Sequence, residues 1–151
     1  MVVVTVPDEL AALLRGAPGV DADEQAFPFL TVDEAGFPHV ALLSRSELDV
    51  APGRTEVLVA VGSPRTRANL RRDGRAGLIA VGGTVAHYAK LRVVRSIESR
   101  GLLGCALAVV EHKADSLGIP LQPIGFRTSA EIARLERWDA SAQVLRALAG
   151  R

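Results

Sequence analysis

Six apolar, β-prone runs crowd the stretch between residues 26 and 115, and a single short helical pattern interrupts them. The runs cover 26–32, 37–44, 55–61, 76–81, 88–94 and 102–110, the last able to continue to 115. Each parallel pairing would need a crossover of a dozen or more residues, and only the link after residue 61 has that length with a helical pattern. The spacing therefore predicts a mainly antiparallel six-stranded β-barrel with flanking helices, not alternating βαβ units. Asp33-Glu-Ala-Gly36 reads as the turn of a first hairpin, and Gly82-Gly83 as a later turn.

The flanks are helical. Asp8 and Glu9 open an amphipathic pattern with leucines three and four apart and Gly16 past its end, which predicts a helix over 7–16. Near the other end, Thr128-Ser-Ala-Glu131 reads as a capping box. Ile132, Leu135, Trp138, Ala142, Leu145 and Leu148 follow at helical spacing, giving a helical segment over 128–149 with a break near Asp139. Residues 116–125 carry two prolines and read as an extended loop over the barrel. No repeat divides the chain, so 1–151 reads as one domain, a size that can bury a core without disulfides.

The third apolar run turns through Gly62-Ser63-Pro64 into Arg65-Thr66-Arg67-Ala68-Asn69-Leu70. Ser63 suits a helix cap and Pro64 the first helical position, where a missing N–H leaves nothing unpaired; Gly74 supplies the stop. The free amides of such a helix start and a macrodipole of roughly +0.5 charge favour an anion, with Arg65, Thr66 and Arg67 in reach. The plainer reading is an ordinary capped helix whose arginines form a solvated face.

Eighteen Lys and Arg against seventeen Asp and Glu leave a net charge of +1, so no global field draws in nucleic acid or an anionic membrane. Aromatic residues make up only 4% of the chain, too few for base-stacking platforms beside the arginine cluster. The N-terminal run lacks a basic front and meets Pro7, so it reads neither as a signal peptide nor as a spanning segment, and the cytoplasm is the expected location. Cys105, the sole cysteine, sits in an apolar run with no histidine or charge adjoining, which fits a buried strand thiol better than a nucleophile. His39, His87 and His112 are too widely spaced for a compact metal motif, and no metal is expected. His39 reads as a strand histidine satisfied by a carbonyl in preference to one facing a ligand groove. Tyr88 and Lys90 alternate on one strand face, Lys90 with its head in water. Trp138 fits helix packing at least as well as stacking at an interface. No Gly-x-Ser-x-Gly elbow exists, and catalytic residues stay unassigned.

The order hairpin, strand, Arg/Thr helix with Asn69-Leu70, then Arg75-Ala-Gly-Leu-Ile-Ala80, resembles the pyridoxamine 5'-phosphate oxidase-like family of FMN-binding split barrels. The resemblance spans about residues 24–112. Its pieces are the first hairpin, Leu30-Thr-Val-Asp-Glu-Ala-Gly-Phe-Pro-His-Val-Ala41, the Arg65–Leu70 stretch, and the apolar strand after Arg75. It implies a homodimer holding FMN, or a related deazaflavin, at the subunit interface. The implied contacts are Ala41, Leu42, Leu43, Ser44, Arg45 and Ser46 on the second strand, Ala60 and Val61 on the third, and Ser63, Arg65, Thr66 and Arg67 around the phosphate. A flavin brings the redox chemistry itself, so the absence of a catalytic triad says nothing against an oxidoreductase acting on a small molecule.

Two positions depart from the family pattern: Ala41 stands where a basic residue contacts the phosphate, and Thr66 where lysine is common. Arg45 compensates for Ala41 only if the alignment slips. The family's C-terminal basic substrate motif is missing from Leu145-Arg-Ala-Leu-Ala-Gly-Arg151, so the resemblance does not extend to pyridoxal phosphate formation. The alternative class is a split-barrel binding or sensing protein that holds haem, another ligand or nothing.

Overall fold

A computed structural model describes residues 4–150, so Met1 to Val3 of the N-terminal apolar run and Arg151 lie outside the described residues. The chain order is α1 (Asp8–Leu14), β1 (Asp23–Gln25), β2 (Phe27–Val32), β3 (Pro38–Leu43), β4 (Leu48–Val50), β5 (Glu56–Val61), α2 (Pro64–Asp73), β6 (Arg75–Gly82), β7 (Val85–Ser99), β8 (Leu102–Ser116), β9 (Gly125–Arg127), α3 (Ala130–Leu135) and α4 (Trp138–Ala149). Seven strands form one curled sheet in the order β3-β2-β6-β7-β8-β5-β4, and β1 pairs with β9 in a separate ribbon. Every pairing is antiparallel. All six predicted strands are present, and the three-residue β4 joins them at one edge.

The β7–β8 hairpin is the spine of the sheet. Its two-residue turn, Arg100-Gly101, has both residues at positive φ (56° and 76°), the twist-matched geometry of a tight hairpin. Register shifts between Lys90 and Leu91 and between Val93 and Arg95 break the ladder, and such bulges increase local twist and let a sheet curl. The hairpin is far longer than the 88–94 run predicted for its first strand, because polar residues from Arg95 to Ser99 still find ladder partners across β8.

Alternation decides what faces inward. Val57, Val59 and Val61 of β5 point into the barrel with Phe27, Phe29, Leu78, Leu91, Cys105 and Leu107, and α1 closes one end with Leu10 and Leu14. Leu58 and Ala60 of β5 point outward, where Ala140, Val144, Leu145 and Leu148 of α4 cover them. Strand β5 is thus buried on both faces, which is why its sequence is an unbroken apolar run. Burying each of Val144, Leu145 and Leu148 contributes roughly 1.5–3 kcal/mol, whereas a surface ion pair such as Arg95–Glu56 adds about 0.2–1 kcal/mol. Apolar docking therefore holds α4 in place.

Helix α2 leaves β5 after a two-residue turn and is tied to β2 by a buried bond, Asn69 donating to the Thr31 hydroxyl (2.9 Å), and by an exposed one, Arg72 donating to the Val32 carbonyl (2.7 Å) while it also donates to the Asn69 side-chain oxygen (2.7 Å). Gly74 ends it at φ 68°, the left-handed stop expected.

Local details differ from the sequence reading. Helix α1 spans Asp8–Leu14, shorter at both ends than 7–16, with Pro7 at the cap position. The Ser63 hydroxyl makes no cap hydrogen bond. The N-terminal cap of α3 is Ser129, which accepts from the Ile132 amide at 3.1 Å; Thr128 is buried one residue earlier, accepting from the Ala22 amide and donating to the Gly19 carbonyl. The helical break falls at Glu136 and Arg137, the latter at φ 54°, two residues before Asp139. Residues 116–125 do run across the barrel, where Leu121 donates to the Gly83 carbonyl, and then lead into β9.

Gly104 of β8 lies beneath α4, where an added Cβ would stand 2.5 Å from Val144 Cγ1 and 3.0 Å from Leu148 Cδ1. Gly104→Ala is expected to destabilise the protein by about 1–3 kcal/mol through overpacking, outweighing the usual gain from removing a strand glycine. An unchanged or higher thermal midpoint would contradict this docking geometry.

Candidate functional site

The end of β5, the start of α2, strand β3 and the α3–α4 junction enclose a pocket of about 340 Å³. Seven of the residues singled out from the sequence line it: Ala41, Leu42 and Leu43 of β3, Ala60 and Val61 of β5, and Ser63 and Thr66 at the start of α2. The other five lie elsewhere. Ser44 turns into a neighbouring recess, and Ser46 faces a separate cleft. Arg45 forms a bidentate pair with Glu24 (2.8 Å to each oxygen) and donates to the Arg15 carbonyl. The hydrogen bond and the charge of the Arg45 guanidinium hold Glu24 below the usual carboxylate range, outweighing desolvation, which pushes the other way. Arg65 is exposed on the solvent face of α2. Arg67 reaches across to the Gly101 carbonyl at the tip of the β7–β8 hairpin (3.3 Å).

Thr66 is the informative residue. Its side chain is fully buried (0% exposed), lines the pocket, and its hydroxyl has no hydrogen-bond partner. A buried hydroxyl without a partner costs about 1–3 kcal/mol, so native structures rarely leave one unless something else satisfies it. Ser63 leaves the first turn of α2 without its own side-chain cap, so the positive end of that helix faces the same space.

Carboxylates share the pocket. Glu47 and Glu136 line it together with Arg137, whose guanidinium donates to the Arg100 carbonyl at 2.6 Å. Burial, reinforced by the nearby Glu136, pushes the Glu47 carboxyl up to about 7, against the opposing hydrogen bonds from Ser44. Near neutral pH Glu47 is therefore partly protonated, which lowers its repulsion toward an anion. Sequence reasoning placed 41–46 on the second strand and did not single out Glu47; the strand ends at Leu43, and the burial of Glu47 comes from the turn that follows docking on β5, where Ala60 donates to the Glu47 carbonyl at 2.9 Å.

Leu42, Leu43, Glu47 and Glu136 also border an adjoining recess of about 280 Å³, whose far side is Ala26, Phe126, Ile132 and Trp138. The two spaces form a groove with a donor-rich end at α2 and an apolar end at Trp138. Orphaned hydroxyl, open helix start and apolar far end match a ligand with a phosphate at one end and a flat ring at the other, and Ala41 and Thr66 do not close the space.

The other candidates stay outside this groove. Cys105 is buried in the barrel with its thiol pushed up to about 11 by desolvation. His39 is half-buried on the edge strand β3. Lys90 is exposed and paired with Glu111 at 2.8 Å. His87 and His112 are stacked, with Nδ1 to Nε2 at 3.0 Å, and among the described residues no group of three or more His, Cys, Asp or Glu is placed to hold a metal. Among the described residues, no helix is long and apolar enough to cross a membrane.

No known family model matches the sequence. The chain is 36% identical over 85 residues to the uncharacterized protein YclD of Bacillus subtilis (strain 168), a match covering 56% of this chain and about half (54%) of that one. Among solved structures it is similar to the styrene monooxygenase flavin reductase SMOB of Pseudomonas putida S12 (12% identity, 69% of this chain and 86% of that one, TM-score 0.55). It is also similar to an F420 reductase (8% identity, 72% and 98%, TM-score 0.54). These likenesses show the fold: a split barrel of the kind found in flavin and F420 reductases.

Glu47→Gln isolates the buried carboxyl. A folded-state pKa raised above the ordinary 4.5 means the folded protein holds the extra proton between about pH 4.5 and 7, so wild-type stability falls as pH rises through that window. The variant loses that term, and its stability relative to wild type should climb from pH 4.5 to 7 in denaturant titrations. A pH-independent difference would show Glu47 to be solvated.

Proposed function

We propose that this chain binds FMN, or a related flavin such as a deazaflavin, in the α2 groove and acts as a homodimeric oxidoreductase on a small molecule. The observation that carries this reading is the buried, partnerless Thr66 hydroxyl at the open start of α2. The split-barrel likeness to flavin and F420 reductases supports it.

In this reading the Thr66 hydroxyl and the first-turn amides of α2 donate to the terminal phosphate, and Arg65 strengthens the field from the solvent side. Backbone groups of β3 from Ala41 to Leu43 and of β5 at Ala60 and Val61 line the middle of the groove. The recess of Phe126, Ile132 and Trp138 shields an apolar ring from water. When bound, the flavin supplies the redox chemistry; the protein supplies position, exclusion of water and local charge. Glu47, partly protonated at neutral pH, is the titratable group best placed to hold a proton inside the groove.

Dimerisation is part of the proposal. The sheet carries an uncovered apolar face: Val40 and Leu42 on edge strand β3 are 53% and 54% exposed, and Tyr88 is 41% exposed two strands beyond the neighbouring β2. A monomer seldom leaves such a face in water, and a second copy covering it would bring a partner surface to the rim of the groove at Leu42.

Two outcomes follow. Thr66→Val should leave the ligand-free protein as stable as wild type or more so, because it removes an orphaned hydroxyl. It should weaken FMN binding about tenfold or more, since a hydrogen bond to a charged group contributes roughly 1.5–3 kcal/mol. Equal FMN dissociation constants for the two proteins would remove Thr66 from the phosphate site. Light scattering should give twice the 16.0 kDa chain mass, and a species of only 16.0 kDa would remove the dimer.

A further inference from the structure

A second cleft, of about 660 Å³, opens on the other side of the 44–48 turn. Neighbouring residues face opposite ways here: Ser46 and Ala142 line this cleft, while Glu47 and Ser141 line the flavin groove. The turn and the first turns of α4 thus form a wall between the two spaces, and Trp138, within that wall, borders both this cleft and the apolar recess of the flavin groove. At this volume the cleft lies in the range of small-molecule sites, about 300–1,000 Å³.

Its floor is apolar and rigid. Leu48 and Val50 of β4 are each 1% exposed, Leu145 rises from α4, and the Trp138 ring forms one side. Two guanidiniums, Arg15 at the end of α1 and Arg146 on α4, face the same space. Arg15 is held before any ligand arrives: its Nη2 donates to the Ala51 carbonyl at 3.1 Å, and its own carbonyl accepts from Arg45, which Glu24 fixes from behind. Arg45 is fully engaged in that arrangement and acts as a brace. One carboxylate, Asp49, also lines the cleft and accepts from the Val50 amide at 2.8 Å, so the charge balance of two guanidiniums against one carboxylate stays positive.

We propose that this cleft is a second small-molecule site, which takes an organic carboxylate with an apolar, ring-sized body. The body lies on Leu48, Val50 and Leu145 against Trp138, and the carboxylate meets the planar forks of Arg15 and Arg146, whose geometry suits a two-oxygen acceptor. Pre-positioning of Arg15 spares the ligand part of the ordering cost of binding. The assignment does not rest on the flavin reading, because Arg15 and Arg146 line this cleft and neither part of the flavin groove.

The probe is 1-naphthoate, with 1-naphthalenemethanol as the neutral molecule bearing the same ring system, titrated by calorimetry into the full chain. Trp138 is the single tryptophan, so a change in its emission reports a probe against its ring, and the variants at Arg146 and Ala142, which line only this cleft, tell which side of the ring the probe occupies. Saturable naphthoate binding at least tenfold tighter than the alcohol is expected. Arg146→Glu, a change at an exposed position, should weaken naphthoate about tenfold or more, and Ala142→Phe should block both probes by filling the cleft. FMN binding should stay unchanged in both variants, and if FMN binds none of these proteins while naphthoate behaves as stated, the flavin reading falls and this site stands. Equal affinity for naphthoate and the alcohol, no saturable binding, or naphthoate affinity unchanged in Arg146→Glu would overturn the proposal.

Discussion

Strand β5 is buried on both faces, by the barrel core on one side and α4 on the other, and the placement of every functional element follows from that. Its valines cannot leave the barrel and its Leu58 and Ala60 cannot leave α4, so its exit at Val61 is fixed in space. Helix α2 starts two residues later, and Thr31 and Asn69 tie its body to β2. The first turn of α2 therefore has nowhere to go except beside β3 and the hairpin tip. Arg67 and Arg137 then grip the Gly101 and Arg100 carbonyls from two sides, closing the pocket around the helix start.

The pocket that results is only mildly attractive to anions. It offers a helix pole and a free hydroxyl, yet Glu47 and Glu136 sit within it, Arg137 and Arg67 each donate to a hairpin-tip carbonyl, Arg67 keeping a buried Nε without a partner, and Arg65 faces solvent. Burial resolves part of this conflict, because a desolvated Glu47 holds its proton to about pH 7. Discrimination by hydrogen-bond geometry, not by net charge, is the consequence. In the proposed reading, such a site would take a phosphate that brings a ring and a chain for the rest of the groove and would gain little from a bare anion.

The long strands, the first hairpin and α2 were legible because their periodicity is intrinsic: β5 reads as a buried run, and Ser63-Pro64 marks a helix start wherever the fold puts it. Shorter features were not. Strands β1, β4 and β9 have three residues each, too few to show alternation; β1 and β9 exist only because each supplies the other's hydrogen bonds from the far end of the chain, and β4 because it folds back on the adjacent β5. Thr128 and Ser129 offer the same cap chemistry, and only the burial of Thr128 against Ala22 and Gly19 decides that Ser129 takes the role. The same limit hid Glu47, whose character depends on the turn docking against β5, and it left Arg45 as a phosphate candidate when Glu24, far away in the sequence, had claimed it.

The most direct test of the account is the visible absorbance spectrum of the purified protein after incubation with excess FMN and desalting. The account predicts retained flavin bands at one cofactor per chain. A colourless protein that carries neither FMN nor a deazaflavin through that step would contradict it.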